Sequence, residues 1–122
     1  PNYGVVYYNL GSMYHDFGQT DKSIRNLVEF VKRDQSNLNA YYLLTKQLAQ
    51  AKQFQEALKW ANSSLRHHPK NAELTINKAN IFYSAGDVSN ALALYSKVLK
   101  ELDPNNITAR EMVKRLKVQN LE

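Results

Sequence analysis

The 122-residue sequence contains no cysteine. That excludes a disulfide framework, a thiolate metal site and a cysteine nucleophile; it suits a reducing cytoplasm and is equally compatible with a periplasm. No apolar run approaches the roughly 20 residues that a membrane-spanning helix needs, and no signal peptide is recognisable. Three histidines are present, His15, His67 and His68. Adjacent helical residues point about 100° apart, so the His67–His68 pair is badly placed to share a metal. No phosphate-binding glycine loop, H-E-x-x-H motif or Ser/His/Asp arrangement occurs. Glu56 and Glu101 lack the second carboxylate at helical spacing that acid/base hydrolysis uses. The sequence therefore offers no catalytic residues, no metal ligands and no cofactor motif. Asn62–Ser63–Ser64 and Asn106–Ile107–Thr108 match the glycosylation sequon, but without a secretory context they read as chance matches.

What the sequence does have is an internal period of 34 residues, centred on residues 38–71 with one copy before and one after. Positions 11, 45 and 79 hold Gly, Thr and Ala, and positions 23, 57 and 91 hold Ser, Ala and Ala, all small. Positions 14, 48 and 82 hold Tyr, Leu and Phe; 24, 58 and 92 hold Ile, Leu and Leu; 31, 65 and 99 hold Val, Leu and Leu. Small residues in fixed columns let two helices approach closely, and large ones fill the space beside them. Gly11 in mid-helix costs roughly 1 kcal/mol against Ala, which makes sense if a neighbouring helix needs its space. Each copy contains two helical segments. They are expected near 4–17 and 20–34, 38–51 and 54–67, and 72–85 and 88–102, with Thr20 or Asp21 as a candidate cap and Gly18, Lys52–Gln53 and Gly86–Asp87 at the hinges.

These columns resemble the tetratricopeptide repeat (TPR). Its motif runs aromatic, Leu, Gly or Ala, Tyr, then Ala, aromatic, Ala and Pro. The first copy supplies Tyr7, Leu10, Gly11, Tyr14, Ser23, Leu27 and Phe30. The second supplies Tyr41, Leu44, Thr45, Leu48, Ala57, Ala61, Ser64 and Pro69. The third supplies Ala79, Phe82, Ala91, Tyr95 and Val98, with Pro104 one residue late. Departures are Gln35 for Pro, Lys52 for Gly and Lys78 for Leu. The resemblance implies an all-α fold, a right-handed α-solenoid of three antiparallel helix pairs (4–37, 38–71 and 72–106). A capping helix follows at 107–120, where Arg110, Lys114 and Lys117 stand in place of the packing residues Tyr7, Gly11 and Tyr14. The apolar start at Tyr3, Val5, Val6 and Tyr7, with no polar cap beyond Asn2, suggests a further repeat before it. Residues 1–122 would then be one domain at the C-terminal part of a longer array.

The resemblance also implies a function: non-catalytic binding of a peptide or partner subunit in a concave groove lined by the first helix of each repeat. The lining places are Val5, Tyr8, Asn9, Ser12 and Asp16; Asn39, Tyr42, Leu43, Lys46 and Gln50; Glu73, Ile76, Asn77, Asn80 and Tyr83; and Thr108, Met112, Arg115 and Gln119. The strongest candidates are Tyr8, Asn9, Ser12, Tyr42, Lys46, Gln50, Asn77, Asn80, Tyr83 and Arg115. Asn and Gln carry both a donor and an acceptor for a peptide backbone, Tyr gives flat area with little entropy to lose, and Lys46 and Arg115 can hold a carboxylate. Helices about 10 Å apart would engage on the order of six to ten extended residues at about 3.3 Å each. Chaperone-adaptor relatives grip a C-terminal carboxylate with Lys, Asn, Asn, Lys and Arg. The matching places here are Tyr8, Ser12, Leu43, Glu73 and Asn77, so a chaperone tail is not the expected ligand.

The net charge of +5 is unevenly spread. Residues 4–37 carry four basic and four acidic groups, 38–71 five and one, 72–106 three and four, and 107–122 four and two. A nucleic-acid-binding helical repeat is the alternative that the basic balance raises. The absence of a basic stripe through all repeats argues against it. Self-association through the apolar start at Val5–Tyr7 is a third reading. The packing register itself is testable. Ala57→Leu should lower stability by about 1–3 kcal/mol through overpacking while Lys46→Ala leaves it nearly unchanged. Equal denaturant midpoints for wild type and Ala57→Leu would refute the register.

Overall fold

The computed structural model describes residues 3–120, leaving Pro1, Asn2, Leu121 and Glu122 outside the described residues. Asn2 as a helix cap, and the side chain of Tyr3, are thus not part of the description. Seven α-helices and no strand are present among the described residues: α1 Tyr3–Asp16, α2 Thr20–Arg33, α3 Leu38–Gln50, α4 Phe54–His67, α5 Ala72–Ser84, α6 Val88–Lys97 and α7 Ile107–Asn120. The chain forms two compact units, Pro1–Trp60 and Ala61–Glu122. The first contains α1 to α3 and the start of α4; the second contains the rest.

Each helix pair turns in the same way. Gly18, Lys52 and Gly86 hold positive φ values of 74°, 62° and 83°. At the first turn the Gln19 N–H donates to the Tyr14 carbonyl (2.8 Å) and the Gly18 N–H to that of His15 (3.0 Å). The same two bonds recur as Gln53 to Leu48 (2.8 Å) with Lys52 to Ala49 (2.9 Å), and as Asp87 to Phe82 (2.9 Å) with Gly86 to Tyr83 (3.0 Å). This is the Schellman closure, which satisfies the last helix carbonyls and demands a left-handed residue. The turns between repeats use asparagine caps instead. Asn37, Asn71 and Asn106 accept from the backbone N–H groups of Ala40 (3.0 Å), Leu74 (2.9 Å) and Ala109 (2.9 Å). Asp87 caps α6 similarly through the Asn90 N–H (3.1 Å). The start of α2 departs from expectation: its N-cap is Gln19, which makes no side-chain cap bond, and Thr20 is already helical. The closure bond of Gln19 fixes the backbone there, so no side-chain cap is needed to set the entry.

In the first unit, α1 and α2 lie antiparallel at very close approach. A Cβ on Gly11 would stand 2.7 Å from Cγ and 2.8 Å from Cδ2 of Leu27, which is fully buried. The Gly11 carbonyl accepts from Ser23 Oγ (2.7 Å), and Ser23 Oγ accepts in turn from Gln47 Nε2 of α3 (2.6 Å). All three helices are thus tied by one buried polar relay. Breaking such a relay leaves buried groups unpaired, at roughly 1–3 kcal/mol each. At the rim, Arg33 lies over the Tyr7 ring (4.7 Å to its centroid) and Lys22 over the Tyr14 ring (5.5 Å). Arg33 also pairs with Glu29 at 2.6 Å, and its hydrogen bond holds the Glu29 carboxyl below its ordinary pKa. That pair is exposed, so it contributes little to stability.

The second unit packs Ile76, Ala79, Ala91, Tyr95, Val98, Ala109 and Leu116 into its core. Its second helix does not run as one α-helix to Leu102. Residues Val98–Leu102 form a π turn, closed by the Asp103 N–H donating to the Val98 carbonyl (2.7 Å). A π turn takes up one more residue than an α turn, and it is where the extra residue that delays Pro104 is accommodated. Helix α7 packs through Ala109 and Leu116, and leaves Arg110, Lys114 and Lys117 exposed.

One face of α1 differs from its counterparts. Ala40 and Leu74 are buried in α3 and α5, as are Gln47 and Ile81. The corresponding α1 residues, Val6 and Met13, are 51% and 41% exposed. Phe17 at the end of the same stripe is 71% exposed.

Lys52 holds a backbone conformation that costs an L-residue about 1–2 kcal/mol. Lys52→Gly relieves it, less the roughly 0.5–1 kcal/mol that glycine loses in flexibility. Chemical denaturation should show a gain of up to about 1 kcal/mol with an unchanged slope. A loss of stability would contradict the strain at this position.

Candidate functional site

The outward side of the first helix in each pair carries the candidate binding residues. Its geometry follows from the packing just described: Gly11, Thr45 and Ala79 are sunk into helix contacts, and in α3 and α5 the roughly opposite positions Ala40, Gln47, Leu74 and Ile81 are buried as well, which leaves one flank between them for these residues.

In the first unit Asn9, Lys46 and Gln50 are exposed, while Tyr8, Ser12 and Tyr42 are half-buried. Tyr8 is not a free platform. Its ring packs against Phe30 of α2 with centroids 5.2 Å apart and a tilt of 59°, a favourable aromatic geometry that fixes its orientation. The backbone carbonyl of Tyr42 accepts from the Thr45 hydroxyl (3.2 Å), which also bonds the Tyr41 carbonyl (2.8 Å). Thr45 therefore satisfies its buried hydroxyl within its own helix.

In the second unit Asn80 and Arg115 are exposed, and Asn77 and Tyr83 half-buried. Tyr83 packs against the core of this unit, as does Met112 of α7. Ile76 departs from its expected place on the lining. It is only 5% exposed and belongs to the core. Asn80 is bonded through its Oδ1, which accepts from the hydroxyl of Tyr95 on α6. The Tyr95 side chain is fully buried; burial first, and Tyr83 second, push its hydroxyl up to about 12 from 10.0. It is a neutral donor throughout the physiological range. By the repeat columns Tyr95 is a packing residue, and its bond to Asn80 is not among what those columns lead one to expect. The available signal was a tyrosine in a column that elsewhere holds Leu27 and Ala61.

The histidines behave differently from one another. His67 is exposed, whereas His68 is half-buried with its Nε2 buried and lacking a hydrogen-bond partner among the described residues. Among those residues no group of three or more His, Cys, Asp or Glu side chains is placed to hold a metal ion. Among the described residues no helix is long and apolar enough to cross a membrane.

Comparison with known proteins agrees with this architecture. One family model of the tetratricopeptide repeat matches residues 8–72, and a second matches residues 48–116. Each spans more than half of the chain, and the chain belongs to the tetratricopeptide repeat family. It is an all-α protein built of helix-pair repeats. No curated protein matches by sequence. Among solved structures, that of MamA is 22% identical with a TM-score of 0.80, covering 98% of this chain and 70% of that one. The first TPR of Spaghetti (RPAP3), described as bound to the HSP90 peptide SRMEEVD, is 18% identical with a TM-score of 0.79, covering 98% and 94%. The second TPR domain of human RPAP3, in complex with the HSP70 peptide SGPTIEEVD, is 15% identical with a TM-score of 0.76, covering 93% and 94%. At these identities the likeness is one of fold.

The buried hydroxyl gives a pH test. Because the folded state holds Tyr95 near 12 and the unfolded chain near 10.0, its contribution is intact below pH 10 and lost as pH rises towards 12. Denaturation at stepped alkaline pH should show stability falling across that window, with a shallower fall in Tyr95→Phe. Identical slopes would place the hydroxyl in a wetter setting than the one described.

Proposed function

We propose that this chain is a non-catalytic interaction module that takes a peptide or a partner subunit on the outward columns of its first helices. What supports this most is the unused polar chemistry on that side. Asn9, Lys46, Gln50 and Arg115 are exposed and make no side-chain hydrogen bond or ion pair within the described residues, although nothing in the fold requires polar groups of these kinds there. Amide groups spaced along a helix suit the alternating donors and acceptors of an extended main chain. The half-buried tyrosines Tyr8, Tyr42 and Tyr83 add apolar area beside them. Peptide-bound relatives of the same fold support the class of ligand.

The ligand is not a chaperone tail of the kind those two relatives hold. Tyr8, Ser12, Leu43, Glu73 and Asn77 occupy the clamp places, and the exposed Glu73 would repel a terminal carboxylate. A second reading, self-association, is favoured by one observation, the exposed Val6 and Met13 on α1 with Phe17 just past its end.

One set of samples tests both. The peptide SRMEEVD should show no saturable binding by calorimetry. A partner captured from native lysate should be lost by Tyr42→Ala/Asn77→Ala/Asn80→Ala while circular dichroism stays that of the wild type. Retention by the folded variant would move the site off these columns. Light scattering that reports a stable dimer, broken by Val6→Lys, would favour the second reading instead.

A further inference from the structure

In the second unit one polar contact is not explained by packing. The column of Tyr95 holds Leu27 and Ala61 in the other two repeats, so the fold needs no hydroxyl there. All three residues are fully buried. The column of Asn80 holds Ser12 and Lys46, so the fold needs no amide there either. Only in the third repeat do the two columns combine into a bond, from a buried hydroxyl on α6 to an exposed side chain on α5. Most buried hydroxyls find a partner; that of Tyr41 in the first unit has none among the described residues, whereas this one uses Asn80 Oδ1.

The consequence lies with the other end of the amide. An asparagine amide free in solvent can present either its oxygen or its NH2 group. With the oxygen taken by Tyr95, the side-chain Nδ2 is the end left for a ligand, and it has no hydrogen-bond partner within the described residues. We propose that Tyr95 is a positioning residue that locks the Asn80 amide with its N–H donors outward, so that this face selects a main-chain carbonyl of an extended peptide. The proposal rests on the peptide-binding reading and makes it specific: Asn80 turns its N–H donors outward. Its neighbour Asn77, one turn earlier on α5, is not constrained by this bond. Tyr83, half-buried beside Tyr95, contributes apolar area on the same side.

The positioning step can be measured without a ligand. Nitrogen-15 relaxation of the Asn80 side-chain NH2 should report an ordered group in the wild-type chain and a mobile one in Tyr95→Phe. Equal mobility in both would overturn the lock. The recognition step uses a random dodecapeptide pool displayed on phage, selected on the wild-type chain, with the best binder then synthesised. Asn80→Ala should weaken that peptide at least tenfold. Asn80→Asp keeps an acceptor for Tyr95 but turns the outward end from donor to acceptor, and should weaken it as much. Tyr95→Phe should weaken it about three- to tenfold, on the scale of one hydrogen bond. The decisive comparison is Tyr95→Phe in the Asn80→Ala background, where no further loss is expected. A purely structural tyrosine would weaken binding equally in both backgrounds, and that result would overturn the proposal. Wild-type affinity in Asn80→Asp would also overturn it, while leaving peptide binding itself in place. A pool that yields no binder removes the peptide-binding reading, and the proposal with it.

Discussion

The closeness of paired helices is the constraint on which the rest of this molecule depends. At Gly11 there is no room for even a methyl group, because Leu27 already fills the space a Cβ would take. That intimacy explains the small residues of the 11/45/79 and 23/57/91 columns, and it explains why a polar relay is tolerated in the interior. With two backbones this close, the Gly11 carbonyl comes within reach of Ser23, and Gln47 can join from the next helix. Close packing on α1, α3 and α5 also dictates which flank of each helix is free to vary. A surface that carries no packing duty can vary in chemistry without disturbing the fold, which is how one scaffold serves many partners.

Much of this was legible from residue columns because packing distance acts directly on side-chain size. The period, the pairing of helices and their bounds to within a residue or two all follow from where small and large residues recur. The left-handed turn at Lys52 was readable too, since Gly18 and Gly86 stand at the same place on either side. Local polar chemistry was less legible. Thr20 and Asp21 have the composition of helix caps, yet the backbone closure at Gln19 makes a side-chain cap unnecessary. Ile76 falls at a lining place by the resemblance to the repeat family but is drawn into the core of its unit. The bond between Tyr95 and Asn80 joins residues 15 apart, and it depends on how deeply one helix sits against another. Composition has no access to that depth.

The candidate binding residues of the two units include two kinds of polar group. Asn9, Lys46, Gln50 and Arg115 are unengaged and adaptable, able to take up whatever a ligand presents. Asn80 is held from behind by a buried donor. Adaptable groups favour breadth of recognition, whereas a held group favours one ligand polarity at one point.

The π turn at Val98–Leu102 has a consequence of another sort, for how the chain is read. Ala40, Leu74 and Ala109 are all fully buried, and so is Leu116, whose counterparts Gln47 and Ile81 are nearly so. The first step in each series is 34 residues and the second is 35. A fixed ruler carried past Leu102 would therefore land one residue short, on the exposed Thr108 and Arg115, a misreading of about 100° around the helix. The turn works as a frameshift corrector: it confines a one-residue insertion to a single loop of backbone, so that everything downstream stays in frame.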